Sequence, residues 1–310
     1  MLQSLKGQNF RITQKDETTG KYLCFGGSTS CSVNYSSSTD DAVTKDVIGA
    51  ASRPTVTSQS VQISVDAMNV TNMAALLAGI KSMQPFTLIW DEVSTTDNQT
   101  PVGASFSRKC QAFLNDLSFS LNDRETCTAS LQFQSTGAVS KVTETISYEE
   151  ISAPAITKGQ YVRLFLGSDN TTTPAAVVGA SKSLSVHVSV SLEDSTTKDT
   201  DGGLWTAQEP TGISFDISAN ALVRSGDTIT SAVEGQSYAD ILEIFEAGTP
   251  VKFQIANVSG ANQRTKGSVI MSGSVIISSL NVSAQVKTSV AYDATLTGYG
   301  DYTVGTPSES

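Results

Sequence analysis

Ser38 to Asp46 reads STDDAVTKD, and Ser191 to Asp199 reads SLEDSTTKD, with five of nine positions identical at a shift of 153 (191 − 38). Immediately upstream, Cys31-Ser-Val-Asn-Tyr matches Leu184-Ser-Val-His-Val at the same shift. Both upstream stretches alternate apolar and polar residues, the mark of a strand with one buried face. A chain that repeats a strand running into an acidic loop has to be read as a duplication before anything else.

Working outward, the remaining elements recur in the same order. Val61, Ile63, Val65 and Ala67 alternate after the first loop; Ile213, Phe215, Ile217 and Ala219 do so after the second. Met73, Leu76, Leu77 and Ile80 then stand at i, i+3, i+4 and i+7, and Tyr238, Ile241, Leu242 and Phe245 fill the same slots at a shift of 165 (238 − 73). That spacing predicts two short amphipathic helices. Asn72 and Ser237 stand where N-caps belong, and Asp240 supplies the carboxylate of a capping box. Turns at Pro85 and Pro250 end the helices, and the strands Phe86–Trp90 and Val251–Ile255 start at once. A closing pair of strands, Leu117–Leu121 with Ala129–Phe133, answers Leu280–Ala284 with Ala294–Leu296 across polar turns expected to differ by two residues, and Gly137 and Gly298 close the copies.

Aligning Tyr22 with Tyr161 predicts a second copy about 14 residues longer between Gly167 and Ser183, and about 13 longer around Arg224 to Gln236. Insertions are tolerated between elements. The expected boundary is the polar connector Glu149 to Gly159, giving domains 1–150 and 151–310. The fold class expected is mainly β: two tandem sandwich or barrel domains, each with one flanking α-helix.

The chain has 310 residues and a formal charge of −10. Residues 1–150 carry 11 basic and 15 acidic side chains, and residues 151–310 carry 9 and 15, so the excess acid is spread over both copies. Tight nucleic-acid binding, which needs clustered Lys and Arg, is therefore not expected. The N-terminal segment shows no long apolar run of a signal peptide, and no apolar stretch approaches the roughly 20 residues that span a bilayer, so membrane insertion is not expected. Cys24, Cys31, Cys110 and Cys127 form no Cys-x-x-Cys pair, and His187 is the single histidine, so a zinc site or other cofactor is not expected. A Cys24–Cys31 disulfide stays open. His187 has no nucleophile or carboxylate motif around it in sequence, and the Gly26-Gly27 and Gly202-Gly203 pairs have no helix start behind them. Enzymatic chemistry is not expected.

In this order, twice over, the chain resembles the major tail (tail tube) protein family of long-tailed bacteriophages. The residues that carry the likeness are Thr44-Lys45-Asp46 and Thr197-Lys198-Asp199 at the loops, Ile63 to Ala67 and Ile217 to Ala219 before the helix, and the closing strands. The resemblance implies a virion protein of the tail, assembled in the host cytoplasm, that stacks as rings into a hollow tube for DNA ejection. Its implied partners are further copies of itself, the tape-measure, tail-terminator and baseplate or distal-tail proteins, and double-stranded DNA in transit without tight binding. Members with a duplicated domain form trimeric, pseudo-hexameric rings, and this chain is similar to that type. A phage-derived contractile injection system shares the tube fold, and a β-sandwich surface adhesin is a rival of another class.

On this reading Asp40, Asp41, Thr44, Lys45 and Asp46, with Glu193, Asp194, Thr197, Lys198 and Asp199, sit on loops Ser36–Pro54 and Ser191–Pro210 that bridge subunits. Asp66, Asp116, Asp123 and Asp216 are the candidate acids facing the lumen, subject to strand register.

Overall fold

The computed structural model describes residues 6–17, 19–25, 27–41, 54–68, 73–94, 100–102, 106–143, 146–148, 158–199, 204–223, 235–259 and 265–305. It is mainly β. In the first half, β1 (Phe10–Lys15), β2 (Tyr22–Cys24), β3 (Ser28–Asp41) and β4 (Pro54–Met68) precede helix α1 (Met73–Ser82). Then come β5 (Phe86–Glu92), β6 (Arg108–Asn122) and β7 (Thr128–Lys141). The second half repeats the order: β8 (Val162–Leu166), β9 (Ala176–Val177), β10 (Ser181–Asp194), β11 (Gln208–Leu222), α2 (Tyr238–Ala247), β12 (Val251–Ser259), β13 (Thr265–Ser283) and β14 (Ala291–Gly298), with a short β15 (Thr303–Val304) after it.

Pairing within each half is the same. β3 pairs β4, β4 pairs β7 and β7 pairs β6, as β10 pairs β11, β11 pairs β14 and β14 pairs β13. The first halves of β6 and β13 turn into another layer, where they meet β5 and β12, which in turn pair β1 and β8. The change of layer falls at a bulge in each copy, between Leu114 and Asp116 and between Ile277 and Ser279. Bulges bend strands, so one long strand can serve two sheets. The bulges at Ser28/Ser30 and Ser38/Thr39 recur at Ser181/Ser183 and Ser191/Leu192. Even the closing hairpins match: Arg124 (φ 63°) and Lys287 (φ 67°) hold the same left-handed turn position, 163 residues apart (287 − 124).

These ladders correct three alignments. The true counterpart of the chain start is Lys158-Gly159-Gln160, which repeats Lys6-Gly7-Gln8 at a shift of 152 (158 − 6), each leading through a 3-10 turn into the first strand. Tyr22 and Tyr161 are not equivalent, and the expected longer segment between Gly167 and Ser183 does not exist. Ile63 answers Ile217, because both pair with equivalent positions of the closing strand, Phe133 and Leu296. Phe133 in turn answers Leu296 at 163, so the closing turns have equal length. Each misalignment was two residues or a chance tyrosine match; a slip of two leaves every side chain on its own face, so alternation alone cannot detect it. The extra residues before the second helix are real: β11 ends at Leu222 and α2 starts at Tyr238, against Met68 and Met73 in the first copy.

The helices behave as their stripes predict, with one difference. α1 buries Met73, Leu77 and Ile80, whereas α2 buries Ile241 and Ile244 and leaves Phe245 39% exposed. Ser237 caps α2: its Oγ accepts the Asp240 amide at 3.3 Å while the Asp240 carboxylate accepts the Ser237 amide at 2.7 Å, and Gly248 closes the helix in the left-handed region (φ 61°). Asn72 lies outside the described residues. One hydrophobic cluster runs through both repeats, from Ile12 to Tyr302, with two small satellites. The helices, three turns or less, depend on this burial because isolated helices of that length are marginal in water.

Removing the cap by Ser237→Ala should therefore cost about 1 kcal/mol. In a guanidinium titration the midpoint falls while the slope stays unchanged.

Candidate functional site

The half-sheets of the two repeats do not remain separate. The second half of β6 pairs with β10, from Asn122 opposite Ser183 to Asp116 opposite Ser189. This joins them into one eight-stranded antiparallel sheet in the order β3-β4-β7-β6-β10-β11-β14-β13. Its outermost strands, β3 and the second half of β13, have no strand partner on their far sides among the described residues.

Alternation divides the two faces of this sheet. Val61, Ile63 and Val65, Leu117 and Phe119, Val186 and Val188, and Ile217 are each 1% exposed or less and point into the core. Between them, pointing the other way, stand Ser64 and Asp66, Ser118 and Asp116, Ser185 and His187, and Ser218 and Asp216. The second face is thus made of hydroxyls, amides and carboxylates, with the His187 imidazole among them.

Three of its carboxylates, Asp66, Asp116 and Asp293, make cross-strand polar contacts. Ser30 Oγ donates to Asp66 Oδ2 at 2.6 Å and Ser130 Oγ donates to Oδ1 at 2.8 Å. These two donors keep the Asp66 carboxyl below the usual carboxylate range. Asn220 Nδ2 donates to Asp293 Oδ1 at 2.7 Å. Across the seam between repeats, His187 Nε2 and Asp116 Oδ2 lie 2.7 Å apart. Three of the four predicted lumen acids, Asp66, Asp116 and Asp216, therefore share one face. Asp123 does not: it sits in the β6–β7 turn, 3.6 Å from the Arg124 guanidinium. Asp293 was missed, although its place between Tyr292 and Ala294 in an alternating strand was the available signal.

The predicted loops are partly strand. Ser36 pairs Ser60 and the ladder continues to Asp41 opposite Pro54; likewise it runs from Ser191 opposite Gly212 to Asp194 opposite Gln208. Asp40 and Asp41 are exposed at the end of β3, and Glu193 and Asp194 at the end of β10. Thr44, Lys45 and Asp46 lie outside the described residues. Asp194 accepts the Thr196 amide at 2.9 Å and its hydroxyl, which holds its carboxyl below the ordinary range and turns the chain. Thr197, Lys198 and Asp199 follow, exposed.

The return limb of the second arm docks on the first repeat. Gln59 N donates to Leu204 O at 2.6 Å, Thr206 N to Gln59 O at 3.0 Å, Gly137 N to Thr206 O at 2.9 Å and Gln208 N to Thr136 Oγ1 at 2.9 Å. Backbone from one repeat thus extends the hydrogen bonding of β4 and β7 in the other. All four thiols are free, and burial pushes Cys110 up to about 12 and Cys127 up to about 11, so neither is a nucleophile at neutral pH. Among the described residues no group of His, Cys, Asp and Glu is arranged to hold a metal, and no helix is long and apolar enough to cross a membrane.

No protein-family model and no curated protein matches the chain. Among solved structures it is similar to the tail of an empty gene transfer agent particle refined with C6 symmetry, at 16% identity and a TM-score of 0.35, over 48% of this chain and 98% of that one. It is also similar to a chain from the virion of the native gene transfer agent particle, at 18% identity and a TM-score of 0.34, again over 48% and 98%. A third likeness is to the SPP1 tail tube, at 18% identity and a TM-score of 0.31, over 48% of this chain and 78% of that one.

Proposed function

We propose that this chain is a tail tube protein of a long-tailed phage, and that three copies close one ring of six equivalent domains, residues 1–150 and 151–310 supplying one each. The observation that carries the reading is the eight-stranded sheet: apolar on one face, acidic and hydroxyl-rich on the other, and without a further strand at either edge among the described residues. An exposed pair of sheet edges on a chain of this size is an association surface unless something covers it, and closing a barrel removes edges altogether. Three such sheets give about 24 strands; at about 4.8 Å spacing and a tilt near 40° the barrel measures roughly 48 Å across its backbone, with space inside for a DNA duplex about 20 Å wide.

The polar face becomes the lumen. Asp66, Asp116, Asp216 and Asp293 face DNA phosphates, with His187 beside Asp116 on the same wall, so the wall repels the backbone weakly and offers no point of arrest. The function is conduction, without covalent chemistry. The long β3–β4 and β10–β11 arms clasp the preceding domain; the docking of Leu204 to Gln208 on the first repeat supports this for the second arm. Tape-measure, terminator and baseplate or distal-tail proteins would then meet the lumen and the two ends of the stack.

Negative-stain micrographs of the purified protein should show rings or hollow rods, and a uniformly monomeric preparation at every concentration would sink the reading. Replacing Asp66, Asp216 and Asp293 together with Lys should leave tubes intact but make them retain duplex DNA in a salt-sensitive manner, read by co-sedimentation; the native tube should release it. Deleting Asp40 to Ala50 should leave a folded chain, judged by circular dichroism, that forms no tubes.

A further inference from the structure

The junction between the two repeats can be compared, residue by residue, with the two open edges of the chain. At the junction β6 presents Leu117, Phe119 and Leu121 to the core, and β10 presents Leu184, Val186 and Val188; none is more than 3% exposed. Their counterparts on the open edges are Leu280, Val282 and Ala284 on and just after β13 (shift 163), and Cys31, Val33 and Tyr35 on β3 (shift 153). Here Val282 is 49% and Tyr35 56% exposed. Apolar side chains that one repeat fully covers for the other are half-buried (Cys31, Val33, Leu280) or exposed (Tyr35, Val282, Ala284) at the ends of the sheet.

The helices differ in the same sense. α1 lies not only on its own β6 but against β10, β13 and β15 of the second repeat, and Tyr302 Oη donates to Leu77 O at 3.0 Å. Ile80 is 1% exposed under that cover, while its counterpart Phe245 on α2 is 39% exposed. Among the described residues α2 lies chiefly against β13 of its own repeat, and Phe245 keeps its exposure.

The 3-10 turns supply a third and independent comparison. Gly159 N donates to Glu125 O at 3.0 Å, and a Cβ at Gly159 would lie 2.2 Å from the carbonyl oxygen of Asn122. The repeats press together there so closely that only glycine fits. Gly7, in the identical Lys-Gly-Gln turn, has nothing within 4 Å of its Cβ position.

From these three contrasts we infer that the contact between chains copies the contact between repeats, with a second copy of this chain as the partner. This rests on the ring reading and adds its register. β13 of one chain pairs antiparallel with β3 of the next, with Val282 opposite Val33, Leu280 opposite Tyr35, Asn281 opposite Asn34 and Ala284 opposite Cys31. The pairs sum to 315, which is the internal sum of 305 carried across by the two shifts (305 + 163 − 153). Phe245 and Leu242 are then covered by the following chain as Ile80 and Leu77 are covered within one, and Gly7 packs against the carbonyl of Gln285. The contact is head-to-tail, so it either closes a ring or runs on as a filament.

The register places a native thiol opposite an alanine, which makes a one-residue test. Directly opposed strand residues fall within disulfide reach, and residues offset by two are too far apart. Under mild oxidation, Ala284→Cys should crosslink to Cys31 of the next chain and give reducible dimers and trimers, with nothing larger, on a denaturing gel. Val286→Cys should not, and Cys31→Ser in the Ala284→Cys background should abolish the bands. Gly7→Val should leave a folded monomer with an unchanged denaturation midpoint and no rings. Rings in micrographs without the Ala284→Cys crosslink, or rings formed normally by Gly7→Val, would overturn this register while leaving the tube standing. A native chain that never assembles would instead remove the tube reading beneath it.

Discussion

Everything in this molecule depends on seven residues of β6 lying against seven of β10. Without that ladder there are two four-stranded half-sheets, each with an exposed edge toward the other. With it there is a single sheet eight strands wide, one main core shared by both repeats, and one face turned consistently to one side. Backbone hydrogen bonds set the spacing, but the apolar side chains at the seam, Phe119 and Val186 among them, make the junction favourable: each such side chain is worth roughly 1.5–3 kcal/mol when fully buried. The polar side of the same seam carries the His187–Asp116 contact.

The bulges explain how one chain serves two layers. β6 and β13 are 15 and 19 residues long, well beyond what one layer of a small sandwich uses. By bending at Leu114/Asp116 and Ile277/Ser279 they close the core with their first halves and build the broad sheet with their second. The bulge shifts the pairing by one residue, which returns the apolar positions of each segment to the core side. The same device at the same position in both copies is why the two repeats form equivalent pieces of one sheet.

Most of the architecture was legible because burial imposes periodicity. A strand covered on one side must alternate and a helix laid on a sheet must carry a stripe, so element order, the two helices, the duplication and the Ser237–Asp240 box could all be read from residue types. Register was not legible. Ile63 matches Phe215 as well as Ile217 by alternation, since a slip of two preserves both faces; only the hydrogen-bond ladder distinguishes them. Loop limits failed for a related reason. Ser36 to Asp41 is polar and exposed on both sides, so nothing in its composition marks it as paired, yet its backbone groups find partners in β4.

That there are two copies, what each contains, and that one face of their strands is apolar and the other acidic and hydroxylated can be read from residue types alone, because those properties are local to each segment. It takes the assembled fold to make the two polar faces continuous, to put Asp123 off that face and Asp293 on it, and to bury Ile80 of α1 while Phe245 of α2 stays exposed. Those facts depend on which strand edges meet, and strand-edge choice is a long-range backbone interaction that no short window of side chains encodes.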